Sequence, residues 1–158
     1  MNRRHILKTL LAAAFGAPLI AAAGVAGAPA TILAPVIDVY KSASCGCCGA
    51  WVEHLQKNGF TVRAHNVANA PAYRAKFGIP DALGSCHTGM VDGYALEGHV
   101  PARDIKRLLA QRPKAVGLAV PGMPQGSPGM ETAQSDPYDV LLVQANGRHS
   151  VYQHYNAK

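Results

Sequence analysis

The chain has 158 residues and a formal net charge of +6, from 15 Lys and Arg against 9 Asp and Glu. This length suits one domain with a substantial core rather than two. Arg3, Arg4 and Lys8 lie in the N-terminal segment, so the rest holds 12 basic against 9 acidic residues. Such a small, dispersed excess argues against a nucleic-acid partner.

Residues 1–30 predict an export signal. A basic start that contains Arg3-Arg4 precedes an Ala-rich apolar run with small residues near its end, and paired arginines are typical of the twin-arginine route. A retained membrane anchor is the alternative, although two glycines and a proline interrupt the run. No later segment has the ~20 apolar residues that a membrane span needs. Export predicts a periplasmic protein, in which disulfides are the default state of cysteine.

The first half of the remaining chain predicts a β-α-β order. A strand over residues 36–40 is rich in β-branched residues, and a helix over 47–58 stops at Gly59. A second strand is predicted over 60–67, and a short helix over 71–77.

The second half predicts two strands and then a helix. Strands over 87–91 and 94–97 join through Asp92-Gly93, a strong hairpin signal, and Pro101 opens a helix that ends at Gln111. These elements predict an α/β, thioredoxin-like domain (β-α-β then β-β-α) over residues 35–156. The last part of this domain is a C-terminal extension, with a strand over 115–120, a Gly/Pro-rich loop over 121–137 and a β-hairpin over 139–155 that turns at Asn146-Gly147.

Three of the four cysteines lie together in Cys45-Gly46-Cys47-Cys48, where the first strand meets the first helix. Cys45 and Cys48 have the spacing that places two sulfurs at a helix N-terminus, where thiolates are favoured. Cys47 adds a neighbouring thiolate that can bridge metal ions. The motif therefore favours a small Cu(I) cluster, since a single zinc ion would need only one sulfur of the adjacent pair.

Three further candidate ligands are Cys86, His87 and His99. If the third strand pairs antiparallel beside the first, its start lies at the edge where the first helix begins. The fourth strand then returns to the same edge. For Cys86 the alternatives are a buried small residue or a disulfide partner of the cluster. His87 has a hydrogen-bonding role as its alternative, and His99 a packing or helix-capping role.

Met123 and Met130 lie in the Gly/Pro-rich loop, which offers few apolar neighbours for a core. Thioethers bind Cu(I), and such a loop can close over a metal site as a lid. The alternative is that both methionines pack on the domain surface.

Three motifs in order, CGCCGAW, SCHTGMVDGYALEGHVPARDIKRLL and GLAVPGMPQGSPGME, resemble the CopG family of bacterial periplasmic copper resistance proteins. The resemblance spans about residues 35–156. It implies a thioredoxin-like domain that binds copper through the C-x-C-C cysteines and through further Cys, His or Met side chains. On this sequence the family motifs fall on Cys45, Cys47, Cys48, Cys86, His87, His99, Met123 and Met130.

The sequence therefore predicts an exported copper-binding protein that sequesters copper or hands it on to copper export or chaperone proteins. Thiolates favour Cu(I), histidines tolerate Cu(II), and redox cycling between the two is left open. The first alternative is a thiol–disulfide oxidoreductase with Cys45 as nucleophile and Cys48 as resolving thiol. The second is a binding module stabilised by zinc or by disulfides.

Overall fold

The computed structural model describes residues 34–156. The export signal predicted for residues 1–30 lies outside them and stays a prediction. In chain order the elements are β1 (Val36–Lys41), α1 (Gly46–Lys57), β2 (Thr61–Asn66), α2 (Ala70–Lys76), a 3-10 helix (Asp81–Leu83), β3 (His87–Val91), β4 (Tyr94–Glu97), α3 (Ala102–Gln111), β5 (Gly117–Ala119), β6 (Tyr138–Val143) and β7 (His149–Tyr155).

The strands form one seven-stranded sheet in the order β2-β1-β3-β4-β5-β6-β7. β1 runs parallel to β2 and antiparallel to β3, and β4 returns antiparallel to β3. β5 then pairs parallel to β4, so the C-terminal extension continues the sheet instead of forming a separate unit. The prediction of a mixed α/β fold is confirmed.

The buried side chains fall on the two faces of the sheet, as the alternation along its strands requires. Leu96 and Leu118 belong to the larger cluster, which includes Trp51 and Leu55 of α1 and Ile105 of α3. Their strand neighbours Ala95 and Ala119 belong to a smaller cluster, which also contains Ile79 after α2, Leu83 of the 3-10 helix and Val143 of β6.

Both predicted hairpin turns are present. Asp92 and Gly93 have φ values of 46° and 86°, the left-handed conformation of both central residues in a type I′ turn. Gly147 has φ 78° between β6 and β7. Pro101 is the residue before α3 and not its first helical residue. Within residues 34–156, no helix has both the length and the apolar character needed to cross a bilayer.

Candidate metal centre

The ends of three elements meet at one edge of the sheet. The last residue of β1, Lys41, pairs with His87 at the start of β3, and Thr88 pairs with Glu97 at the end of β4. α1 begins at Gly46 after Cys45, which has extended φ and ψ. The antiparallel pairing of β1 and β3 thus brings Cys86, His87 and His99 to the cysteine motif, as the sequence predicted.

Four sulfur atoms form the first group of candidate ligand atoms. Cys45 and Cys48 form a disulfide at the start of α1, whereas Cys47 and Cys86 are free thiols. The Sγ atom of Cys47 lies 3.6 Å from that of Cys45 and 4.0 Å from that of Cys86. All four sulfurs lie within 4.8 Å of one another, which is close enough for one ion to contact several of them.

Cys86, His87 and His99 form a second group, which shares one sulfur with the first. The Sγ atom of Cys86 lies 3.3 Å from His87 Nδ1 and 3.2 Å from His99 Nε2. One ligand atom from each of these three residues lies within 4.8 Å of the other two. The thiol of Cys86 therefore stands between an all-sulfur group and a pair of imidazoles.

The surroundings of the two imidazoles fix their orientation. The Nδ1–H of His99 donates a hydrogen bond of 2.8 Å to the carbonyl of Pro128, so its Nε2 faces Cys86. His87 packs against Trp51 with ring centroids 4.3 Å apart and meets His99 edge-on at 5.1 Å. His87 Nε2 is buried and has no hydrogen-bond partner among the described residues.

Burial controls the protonation of this group. It lowers the pKa of His87 to about 3, with a smaller contribution from His99, and it also lowers the pKa of His99. Burial, together with the neighbouring Cys47, raises the pKa of Cys86 to about 12. The metal-free group is therefore neutral, with imidazoles ready to bind a cation. A metal ion must displace the thiol proton of Cys86 when it binds.

The low pKa of His87 predicts that the metal-free protein loses stability in mild acid. The unfolded chain binds a proton near pH 6.5 that the folded chain does not bind until about pH 3. The contribution of His87 to the free energy of unfolding is therefore complete above pH 6.5. It decreases as the pH drops below 6.5, by up to ~1.4 kcal/mol per pH unit for this one group. Urea unfolding between pH 7 and pH 5, in the presence of a metal chelator, measures the slope of the free energy of unfolding against pH.

His87→Gln should reduce that slope by about one proton. His149→Ala, at an exposed position of β7, is the control and should leave the slope unchanged. A slope that is equal in wild type and His87→Gln would contradict the prediction.

A buried carboxylate anchors the segment that carries Cys86. Glu97 is completely buried and accepts hydrogen bonds of 2.7 Å from the Ser85 N–H and the Thr88 hydroxyl. Arg74 lies 3.5 Å from the same carboxylate, and burial raises the pKa of Glu97. Sequence reasoning did not identify Glu97 as a supporting residue. The sequence feature that could have identified it is an acidic residue in a hairpin strand that is otherwise apolar.

The Gly/Pro-rich loop is fastened to the site through its backbone. The Gly122 N–H donates to the Gly84 carbonyl, and the Ser85 hydroxyl donates to the Gly122 carbonyl. Gly129 lies against the first turns of α1, because a Cβ atom there would be 2.7 Å from the Trp51 nitrogen. The adjacent residues are Met123, with 52% of its surface exposed, and Met130, which is half-buried.

The other histidines within residues 34–156 lie outside both groups. His65 and His154 pair with Asp38 and Asp139 on the surface, as expected for residues without a ligating role. His54 is half-buried, and its Nε2 accepts a hydrogen bond from the Ala102 N–H at the start of α3.

The fold and the site define an α/β protein with a cysteine- and histidine-rich candidate metal centre at one edge of its sheet. Residues 83–130 match a family model described as a protein of unknown function, DUF411. This matched segment contains Cys86, His87, His99 and residues 121–130 of the Gly/Pro-rich loop. No curated protein matches the chain.

Two solved structures of copper resistance protein CopG, Form 2 and Form 1, are each 48% identical to the chain. Form 2 has a TM-score of 0.74, with 77% of this chain and 98% of that chain covered. Form 1 has a TM-score of 0.73, with 77% and 97% covered. The chain belongs to the CopG family of copper resistance proteins, and the resemblance predicted from its motifs is confirmed.

Proposed function

We propose that the chain is an exported copper-binding protein that sequesters Cu(I) or hands it on. The observation that carries the proposal is the approach of four cysteine sulfurs within 4.8 Å of one another, in a relative of copper resistance protein CopG. Thiolates are soft ligands that select Cu(I). Loading through all four sulfurs requires reduction of the Cys45–Cys48 disulfide first.

The proposed ligand set combines three kinds of soft or borderline donor. Adjacent thiolates at Cys47 and Cys48 favour a small cluster with shared sulfur, and the imidazoles also tolerate Cu(II), which leaves redox cycling open. Zinc fits less well because the adjacent sulfurs of Cys47 and Cys48 cannot easily both reach one tetrahedral ion. The set comprises Cys45, Cys47, Cys48, Cys86, His87, His99, Met123 and Met130.

We infer further that residues 35–156 form a thioredoxin-like domain that acts in the periplasm after twin-arginine export. The strand order β2-β1-β3-β4, with α1 between β1 and β2 and α3 after β4, supports this assignment. The Arg3-Arg4 pair and the Ala-rich run that follows support export. The expected partners are copper export or copper chaperone proteins.

Anaerobic Cu(I) titration of the reduced full chain, followed by X-ray absorption, tests the proposal. We expect more than one copper ion per chain, a sulfur-rich shell and a short metal–metal distance. Cys47→Ser should lower the stoichiometry because it removes a sulfur that lies close to both Cys45 and Cys86. A reduced chain that holds stoichiometric zinc and no copper would exclude this function.

The thioether ligands have a separate test. Met123→Leu should weaken Cu(I) about tenfold, which is ~1.4 kcal/mol, and should weaken Cu(II) less. Met90→Leu is the matched control, because Met90 packs against the smaller core cluster on β3, and its Cu(I) affinity should not change. Competition with a Cu(I) chelator measures both variants. Equal weakening of Cu(I) and Cu(II) by Met123→Leu would argue against a thioether ligand.

A thiol–disulfide oxidoreductase is the second candidate function. The Cys45–Cys48 disulfide at the start of α1 favours it, since a helix N-terminus stabilises a thiolate leaving group. Cys47, 3.6 Å from the Cys45 sulfur, would compete by internal exchange. Insulin reduction that survives Cys47→Ser, in a chain that binds no copper, would favour this second function.

A further inference from the structure

We propose that the chain keeps a mononuclear copper site when the Cys45–Cys48 disulfide is closed. Cys86, His87 and His99 form this site, and the redox state of the disulfide sets how many ions the chain holds. The inference rests on the proposed copper function and adds a second loading state to it.

The disulfide divides the candidate ligands unevenly. It removes Cys45 and Cys48 from the all-sulfur group, which then retains only the thiols of Cys47 and Cys86. The second group loses nothing, because Cys86 is free and lies 3.3 Å and 3.2 Å from nitrogens of His87 and His99. The all-sulfur group therefore loses half of its ligands, while the Cys-His-His group keeps all three.

The contacts that orient the two imidazoles do not involve the disulfide, whose Cys48 sulfur lies 3.8 Å from the Cys86 carbonyl oxygen. His99 is oriented by the carbonyl of Pro128, and His87 by packing against Trp51. The segment before Cys86 is anchored by the Ser85 N–H, which donates to buried Glu97. Opening or closing the disulfide therefore leaves the three donors in position.

The chemistry of the three donors suits one copper ion. A single thiolate with two imidazoles is a trigonal set that copper proteins use, and it places one negative charge against Cu(I). The nitrogens beside the Cys86 sulfur are His87 Nδ1, at 3.3 Å, and His99 Nε2, at 3.2 Å, on two rings that meet edge-on. Neither ring has to leave the core to present a nitrogen to the ion.

Closure of the disulfide changes the number of copper ions that the chain holds. The copper-bound thiolates of Cys45 and Cys48 give two electrons to a small-molecule disulfide, which takes up two protons from water and is reduced to two thiols. Copper ions held by those two sulfurs lose their ligands and leave. The ion held by Cys86 and the imidazoles stays bound.

The test compares the full chain in two redox forms. One sample is fully reduced and the other is oxidised with glutathione disulfide, freed of oxidant and checked by thiol counting. Both are titrated anaerobically with Cu(I) against a chelator and examined by X-ray absorption. We expect about one ion per oxidised chain, in a mixed nitrogen and sulfur shell without a short metal–metal distance. The reduced chain should take up more.

Variants separate this site from the cluster. In the oxidised form His99→Ala should lose the ion, whereas His149→Ala, on exposed β7, should retain it.

Three outcomes would overturn the inference. The oxidised chain could bind no copper while the reduced chain loads, or both forms could bind the same number of ions. His99→Ala could also retain the ion in the oxidised form. Failure of the reduced chain to bind copper is a different result, because it overturns the proposed function itself.

Discussion

Cys86→Ser is expected to lower the copper stoichiometry of the reduced chain and to abolish binding to the oxidised chain. Cys86 is the one residue common to the all-sulfur group and to the Cys-His-His group. A serine hydroxyl is a hard, neutral donor that Cu(I) does not select. The loss of affinity should exceed about 100-fold at the oxidised site, since one of its three ligands disappears. Chelator competition in both redox forms measures the effect.

Cys45→Ser is the informative comparison for this variant. It also removes one sulfur from the all-sulfur group, but it leaves Cys86, His87 and His99 complete. It should therefore lower the stoichiometry and still hold at least one ion. If Cys86→Ser and Cys45→Ser have the same copper stoichiometry, Cys86 does not serve as a ligand in both groups. The proximity of the two groups at the sheet edge would then have no role in copper binding.

The position of Cys86 was predictable because it follows from strand pairing. Once the 92–93 turn and the strand over 36–40 were recognised, an antiparallel neighbour to β1 had to begin where α1 begins. His99 followed from the same argument, since a short β4 returns to that edge. Patterns of period two and glycine-containing turns carry this information in the sequence.

Other features of the site depend on contacts that no sequence pattern encodes. The carbonyl that orients His99 belongs to Pro128, 29 residues away in a loop without strands or helices. Glu97 has an acidic side chain, yet it is completely buried because the Ser85 and Thr88 donors satisfy it. The pairing of Cys45 with Cys48, by contrast, is the one that the oxidoreductase alternative requires.

Gly129→Ala is expected to loosen copper binding with only a modest loss of fold stability. Gly129 has φ 84°, and a Cβ atom there would lie 2.7 Å from the Trp51 nitrogen and 2.9 Å from the Cys47 carbonyl. Those atoms belong to the backbone of α1 and cannot give way. The loop should therefore lift, and the Pro128 carbonyl should move away from His99 Nδ1. Stopped-flow transfer of Cu(I) to a chelator should show release at least about tenfold faster.

Gly93→Ala separates the steric effect from backbone strain. Gly93 has nearly the same φ, 86°, but a Cβ atom there meets nothing within 4 Å. Both variants should carry the cost of a left-handed alanine, ~1–2 kcal/mol by urea unfolding, and only Gly129→Ala should speed copper release. Equal release rates would mean that the loop does not control the site. Faster release from Gly129→Ala alone would mean that the loop retains copper through the orientation of His99, because the substituted residue itself offers no ligand.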